Sequence, residues 1–156
     1  MTTFPRLRPV HTAPRICVLP ESPLQNGKGM VINMTVRDVA RILNATVLSG
    51  EDQLDIEVHD ACGSDMMSDV LAFVKNQAVL LTGLVNVQVV RTADMMDIVC
   101  LVFVRGKVPD EDMLAIARRK DMVVLSTNLR MYRACGLLWE AGLRGGETDA
   151  GAEATV

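Results

Sequence analysis

Aromatic residues are scarce: three Phe, one Tyr and one Trp in 156 residues. So few rings cannot supply a row of stacking platforms for single-stranded nucleic acid. Charge of one sign is not in excess either, because 16 basic residues stand against 19 acidic ones for a net charge of −3. No global positive field is available to hold a nucleic-acid backbone or an anionic membrane. Long hydrophobic runs are missing too. The apolar run from Ile98 to Val104 has seven residues, whereas a membrane-spanning helix needs about 20.

The four cysteines, Cys17, Cys62, Cys100 and Cys135, include no C-x-x-C pair, which excludes zinc-ribbon and thioredoxin-type motifs at the spacing step. The first thirty residues carry Arg6, Arg8 and Arg15 and no continuous apolar stretch, so no secretory signal is read there. A reducing cytoplasm is the expected compartment. Histidine is limited to His11 and His59, which are too far apart in organisation to form a metal pair. No metal and no cofactor is expected. Gly27-Lys28-Gly29 superficially matches a phosphate loop, but Ser22 stands where the leading glycine belongs and Gly29 where Ser or Thr belongs. No Gly-x-Ser-x-Gly elbow is present for a nucleophilic serine.

What is present is apolar side chain, 49% against 22% charged, enough for a packed core and too much for a disordered chain. The length fits one domain on a prior of roughly 100–200 residues each. Residues 1–33 hold Pro5, Pro9, Pro14, Pro20 and Pro23 without helical or alternating periodicity, and their four basic residues against one acidic give +3. They read as a flexible N-terminal arm, or as a stretch upstream of a natural start at Met30 or Met34. Residues 144–156 read as a disordered, Gly-rich acidic tail. The folded unit is 34–143.

Inside that unit helical and strand patterns alternate. Val36, Val39, Ala40 and Leu43 follow i, i+3, i+4, i+7, with Thr35 and Asp38 spaced as a capping box. Short strands are expected at 46–48 and 56–58, then a helix opening at 62–65 with Ser64 as N-cap and Asp65 and Asp69 on one face. Val79 to Thr82 is a strand and Asn86 caps the next helix. Ile98 to Val104, rich in β-branched residues, fits a strand covered on both faces. Pro109 falls in the first turn of a helix that Asp110, Glu111 and Asp112 begin and Arg118, Arg119 and Lys120 end, each sign matching the dipole. Val123 to Leu125 is the last strand, and Ser126-Thr127 starts a final helix over 128–141. This alternation predicts an α/β fold, a three-layer α/β/α sandwich on a mixed, mostly parallel sheet of about five strands.

In such sheets ligands sit beyond the carboxyl ends of the strands. The candidate ligand-binding residues there are Ser64, Asp65, Thr82, Gly83, Arg105, Gly106, Ser126 and Thr127, with Arg105 supplying charge and the backbone after Ser126 supplying N–H donors. Cys62, ahead of the expected helix start, stands where thiol pKa values can fall, or is simply a small residue in a tight loop.

Thr35-Val36-Arg37-Asp38-Val39, Val47-Leu48-Ser49-Gly50, Ser64 to Leu71, Gly106 to Asp110 and Val124 to Thr127 together resemble the DRTGG domain family. The most specific pieces are Ser-Asp-x-x-Ser-Asp-Val at 64–70 and Gly-x-x-Pro-Asp at 106–110; the Asp-Arg-Thr-Gly-Gly string itself is absent. The resemblance spans about 34–143. It implies a regulatory module like the N-terminal domain of HPr kinase, without that enzyme's separate P-loop kinase domain. It also implies pairing as a homodimer. The last helix carries Leu129, Tyr132, Gly136 and Trp139 on a stripe that makes the apolar face wider than one core face needs; either this face is buried widely within one copy, or an exposed surplus gives the dimer a physical motive. Leu129, Tyr132 and Trp139 are the candidate dimer contacts. The expected function is a non-catalytic regulatory or ligand-sensing domain that binds a partner protein or a small anionic metabolite, a nucleotide among the candidates. Two other classes stay open: a small transferase or hydrolase with a polar site, and a scaffold subunit of a redox or hydrogenase-associated assembly.

Overall fold

A computed structural model describes residues 34–74 and 77–144. The elements are β1 (Met34–Thr35), α1 (Val36–Ile42), β2 (Thr46–Ser49), a 3-10 turn (Glu51–Gln53), β3 (Glu57–Val58), β4 (Asp60–Gly63) and α2 (Met67–Phe73). They continue with β5 (Ala78–Thr82), α3 (Val87–Met95), β6 (Cys100–Phe103), α4 (Glu111–Arg119), β7 (Val123–Ser126) and α5 (Met131–Glu140). The arm expected at 1–33 and the tail beyond Arg144 lie outside the described residues.

Local chemistry sets most helix starts. The Thr35 hydroxyl accepts from the Asp38 amide at 3.3 Å while the Asp38 carboxylate accepts from the Thr35 amide at 3.1 Å, a complete capping box on α1. Asn86 accepts from the Val89 amide to open α3, and Asp110 from the Met113 amide to open α4. Asp110 is thus the N-cap, and Pro109 precedes the helix rather than lying in its first turn.

Two expected starts are displaced. Asp60–Gly63 forms the strand β4, and α2 begins only at Met67. Ser64 is not a helix cap: its hydroxyl accepts from the Met66 amide in a local turn. Asp65 therefore stands before the helix and shares no face with Asp69. Likewise Ser126 belongs to β7 and α5 starts at Met131 after Arg130, without a side-chain cap. In both places a short hydroxyl served a turn or a strand instead of a helix, the usual competition for serine and threonine.

The main sheet has the order β2-β7-β6-β5-β4, with β4 to β7 mutually parallel and β2 antiparallel to β7. β1 and β3 form a separate antiparallel pair. Because β4, β5, β6 and β7 succeed one another across the sheet, crossovers of one hand place α2, α3 and α4 on the same face. Their buried Val70, Val89, Ala93, Met113 and Ala117 pack on Leu80, Leu101, Phe103 and Val124. On the other face α1 and α5 cover Val79, Leu81, Cys100, Val102 and Leu125 through Val36, Val39, Leu43, Ala134 and Leu138. Strand residues alternate between these two cores, as the two-residue period requires. The result is the expected α/β/α sandwich on a mixed five-stranded sheet. Full burial of Leu80, Leu101 and Phe103 contributes about 1.5–3 kcal/mol each.

Candidate functional site

The parallel register aligns the carboxyl ends of four strands. Thr82, Phe103 and Ser126 are neighbours across β5, β6 and β7, and Gly63 pairs with Leu81. The loops leaving these ends meet on one rim. Asp65 is the organiser there: one carboxylate oxygen accepts from the Gly83 amide at 2.6 Å and from the Thr82 hydroxyl at 3.0 Å. The other lies 3.4 Å from Nη2 of Arg105. The Gly83 amide above all, then the Thr82 hydroxyl and the charges of Arg105 and Lys107, holds the Asp65 carboxyl below the ordinary carboxylate range, against the opposing effect of burial.

Arg105 is fixed from two further directions. A Cβ placed on Gly83 would stand 1.6 Å from Arg105 Nη2, so the guanidinium occupies the space that only glycine leaves. The backbone of Arg105 is left-handed, with φ +65°, followed by Gly106 at +67°, a conformation uncommon for a residue with a Cβ. The segment after β7 holds this turn. The Arg105 amide donates to the Leu129 carbonyl and the Gly106 amide to the Thr127 carbonyl, both at 2.8 Å. The Ser126 hydroxyl donates to the Lys107 carbonyl at 2.8 Å. Arg105 is half exposed, and Asp65 is the sole acceptor of its side chain among the described residues. A guanidinium has five N–H donors, so most of the fork has no acceptor among the described residues. Two cations, Arg105 and Lys107, face one carboxylate.

Of the eight candidate ligand residues, Asp65, Thr82, Gly83 and Arg105 form one bonded cluster, and Gly106 adjoins it. Thr82 and Thr127 are buried and occupied. Thr82 also accepts from the Leu84 amide, and the Thr127 hydroxyl donates to the Leu43 carbonyl at 2.7 Å. They tie loops together. With α5 starting at Met131, the helix N–H donors expected directly after Ser126 are not there. Lys107 and Asn128 were not among the candidates. Asn128 Oδ1 would stand 2.7 Å from a Cβ on Gly106, a contact between loops far apart in sequence. Lys107 is legible only through its place two residues after Arg105.

Cys62 lies in β4, not before a helix, and burial first, then the nearby Asp60 carboxylate, pushes its thiol up. Burial raises Cys135 and Cys100 as well. None is an activated thiolate. Among the described residues no group of three His, Cys, Asp or Glu is placed to hold a metal, and no helix is long and apolar enough to cross a membrane. On the outer side of α5, Tyr132 is 93% and Trp139 54% exposed, whereas Leu129 leads into the helix and packs partly on the core. Arg144 lies over the Trp139 ring at 5.3 Å.

These features define a small α/β/α domain whose parallel strand ends carry a fixed, half-exposed cation. The family model described as "DRTGG domain" matches residues 38–140. The chain belongs to the DRTGG domain family. Among solved structures, it is similar to the CBS and DRTGG domains of the regulatory region of Clostridium perfringens pyrophosphatase, a structure complexed with the activator diadenosine tetraphosphate. The identity is 14% and the TM-score 0.56, covering 64% of this chain and 44% of that one, a likeness of fold. The comparison with curated proteins found no match.

Proposed function

We propose that this protein is a regulatory, ligand-sensing domain that binds a small phosphate-bearing metabolite, nucleotides included, at the strand-end rim and works as a homodimer. The observation that carries the reading is the Arg105 guanidinium, seated on Gly83 and steadied by Asp65 at the carboxyl ends of the parallel strands. A planar cation pre-positioned in this way loses little freedom on binding and meets phosphate with paired donors. Lys107 adds a second charge. The left-handed backbone at Arg105 supports the reading, since strain of this kind persists where surrounding bonds enforce it and clusters at binding sites. Ser64, Gly106 and Ser126 shape the rim, and Thr82 and Thr127 brace it.

The nucleotide activator bound by the clostridial regulatory region makes nucleotides the first ligands to try. The dimer reading rests on Tyr132 and Trp139, two large rings left outside the core. A cytosolic setting fits the free thiols of Cys62, Cys100 and Cys135.

A thermal-shift panel of inorganic phosphate, pyrophosphate, AMP, ATP and diadenosine tetraphosphate tests the ligand reading. A ligand at about 100 times its Kd adds about 2.7 kcal/mol, a rise of several degrees in Tm for a domain of this size. No shift with any phosphate compound overturns the reading.

A further inference from the structure

We infer that two copies pair through α5, antiparallel and two-fold related about Gly136, with Arg133 of each chain against Glu140 of the partner subunit. The inference rests on the homodimer reading above and specifies its geometry. Arg133 and Glu140 are seven residues, about two turns, apart and so stand on one line along the helix. Both are exposed, and neither makes an ion pair among the described residues. Tyr132 and Trp139 have the same spacing and form a parallel line beside them. Gly136 lies between the ends of both lines, and nothing stands within 4 Å of a Cβ built on it. All five residues border one open groove of about 710 Å³.

Reversing one such helix against another about Gly136 satisfies both lines at once. Arg133 meets the partner's Glu140, Tyr132 meets the partner's Trp139, and symmetry repeats each contact. The glycine lets the backbones approach closely at the crossing. This self-complementarity selects a second copy as the occupant, because both halves of each contact are already on the one face. A parallel arrangement would set like charges together instead.

The test is sedimentation velocity on the full chain over a range of concentrations. Wild type is expected to dimerise. R133E and E140R, both changes at exposed positions, are each expected to weaken self-association by about tenfold or more. Mixing the two single variants restores a dimer, since every facing pair is then opposite in charge, and the double variant R133E/E140R restores it alone. Gly136→Leu, whose Cβ would meet nothing within 4 Å in one copy, is expected to abolish pairing while leaving the circular dichroism spectrum unchanged. A wild-type dimer that all these variants leave intact, or single variants that stay apart when mixed, overturns the pairing and spares the dimer reading. A monomeric wild type overturns both.

Discussion

At Gly83 the absence of a side chain decides where a charge sits. The Arg105 guanidinium fills the space a Cβ would take, and because a flexible side-chain end can move away, Gly83→Ala is expected to cost little stability while displacing the guanidinium. A Tm within a few degrees of wild type, together with loss of the ligand-induced shift, is the expected pair of outcomes. An unchanged ligand response shows that Arg105 is not the binding group. Asp65 gives a pH-dependent counterpart. Its carboxyl is held below its unfolded value, so its stabilisation is complete above about pH 4, the unfolded range, and is lost as pH falls through the lower folded value. The gap in Tm between wild type and Asp65→Asn should therefore close on acidification below about pH 4. Half exposure keeps the charge contribution to about 1 kcal/mol or less. Asp65, Thr82, Gly83 and Arg105 were legible as strand-end residues, but their bonds were not. The Arg105–Asp65 contact spans 40 positions, and no local pattern encodes it.

Among the elements, those with their own cap and period were legible. The Thr35 and Asp38 pair marked α1, and Asn86 and Asp110 marked α3 and α4. Replacing Thr35 by Ala removes an acceptor from the Asp38 amide and is expected to cost about 1 kcal/mol, seen as a lower midpoint in chemical denaturation. No change in midpoint shows that the capping box does not contribute. Elements made by their neighbours were hidden. Asp60–Gly63 has no β-branched residue and is a strand because β5 offers it a parallel partner. Ser64 and Ser126 were ambiguous for a related reason: a short hydroxyl serves a turn, a strand end or a cap equally well, and only the tertiary contact chooses.

For the whole molecule, the orderly succession from β4 to β7 gathers their carboxyl ends on one rim and puts three helices on one face. The other face is left to α1 and α5, and the outer side of α5 carries Tyr132 and Trp139. The Arg105–Gly106 turn is bonded to Thr127 and Leu129, which lead into α5, so rim and helix are joined by a short, hydrogen-bonded segment. The alternation of patterns made the sandwich legible; it could not say that α5 leaves two rings outside, because burial depends on which neighbours cover a helix. The central claim concerns the rim. Isothermal titration of the full chain with ATP and with diadenosine tetraphosphate tests it most directly, comparing wild type with Arg105→Gly. Glycine accepts the left-handed backbone at that position at no steric cost. Saturable binding to wild type that weakens with added salt, and a loss of about tenfold or more in the variant with its fold intact, is the predicted result. Equal affinity in both proteins, or no binding to wild type, contradicts it.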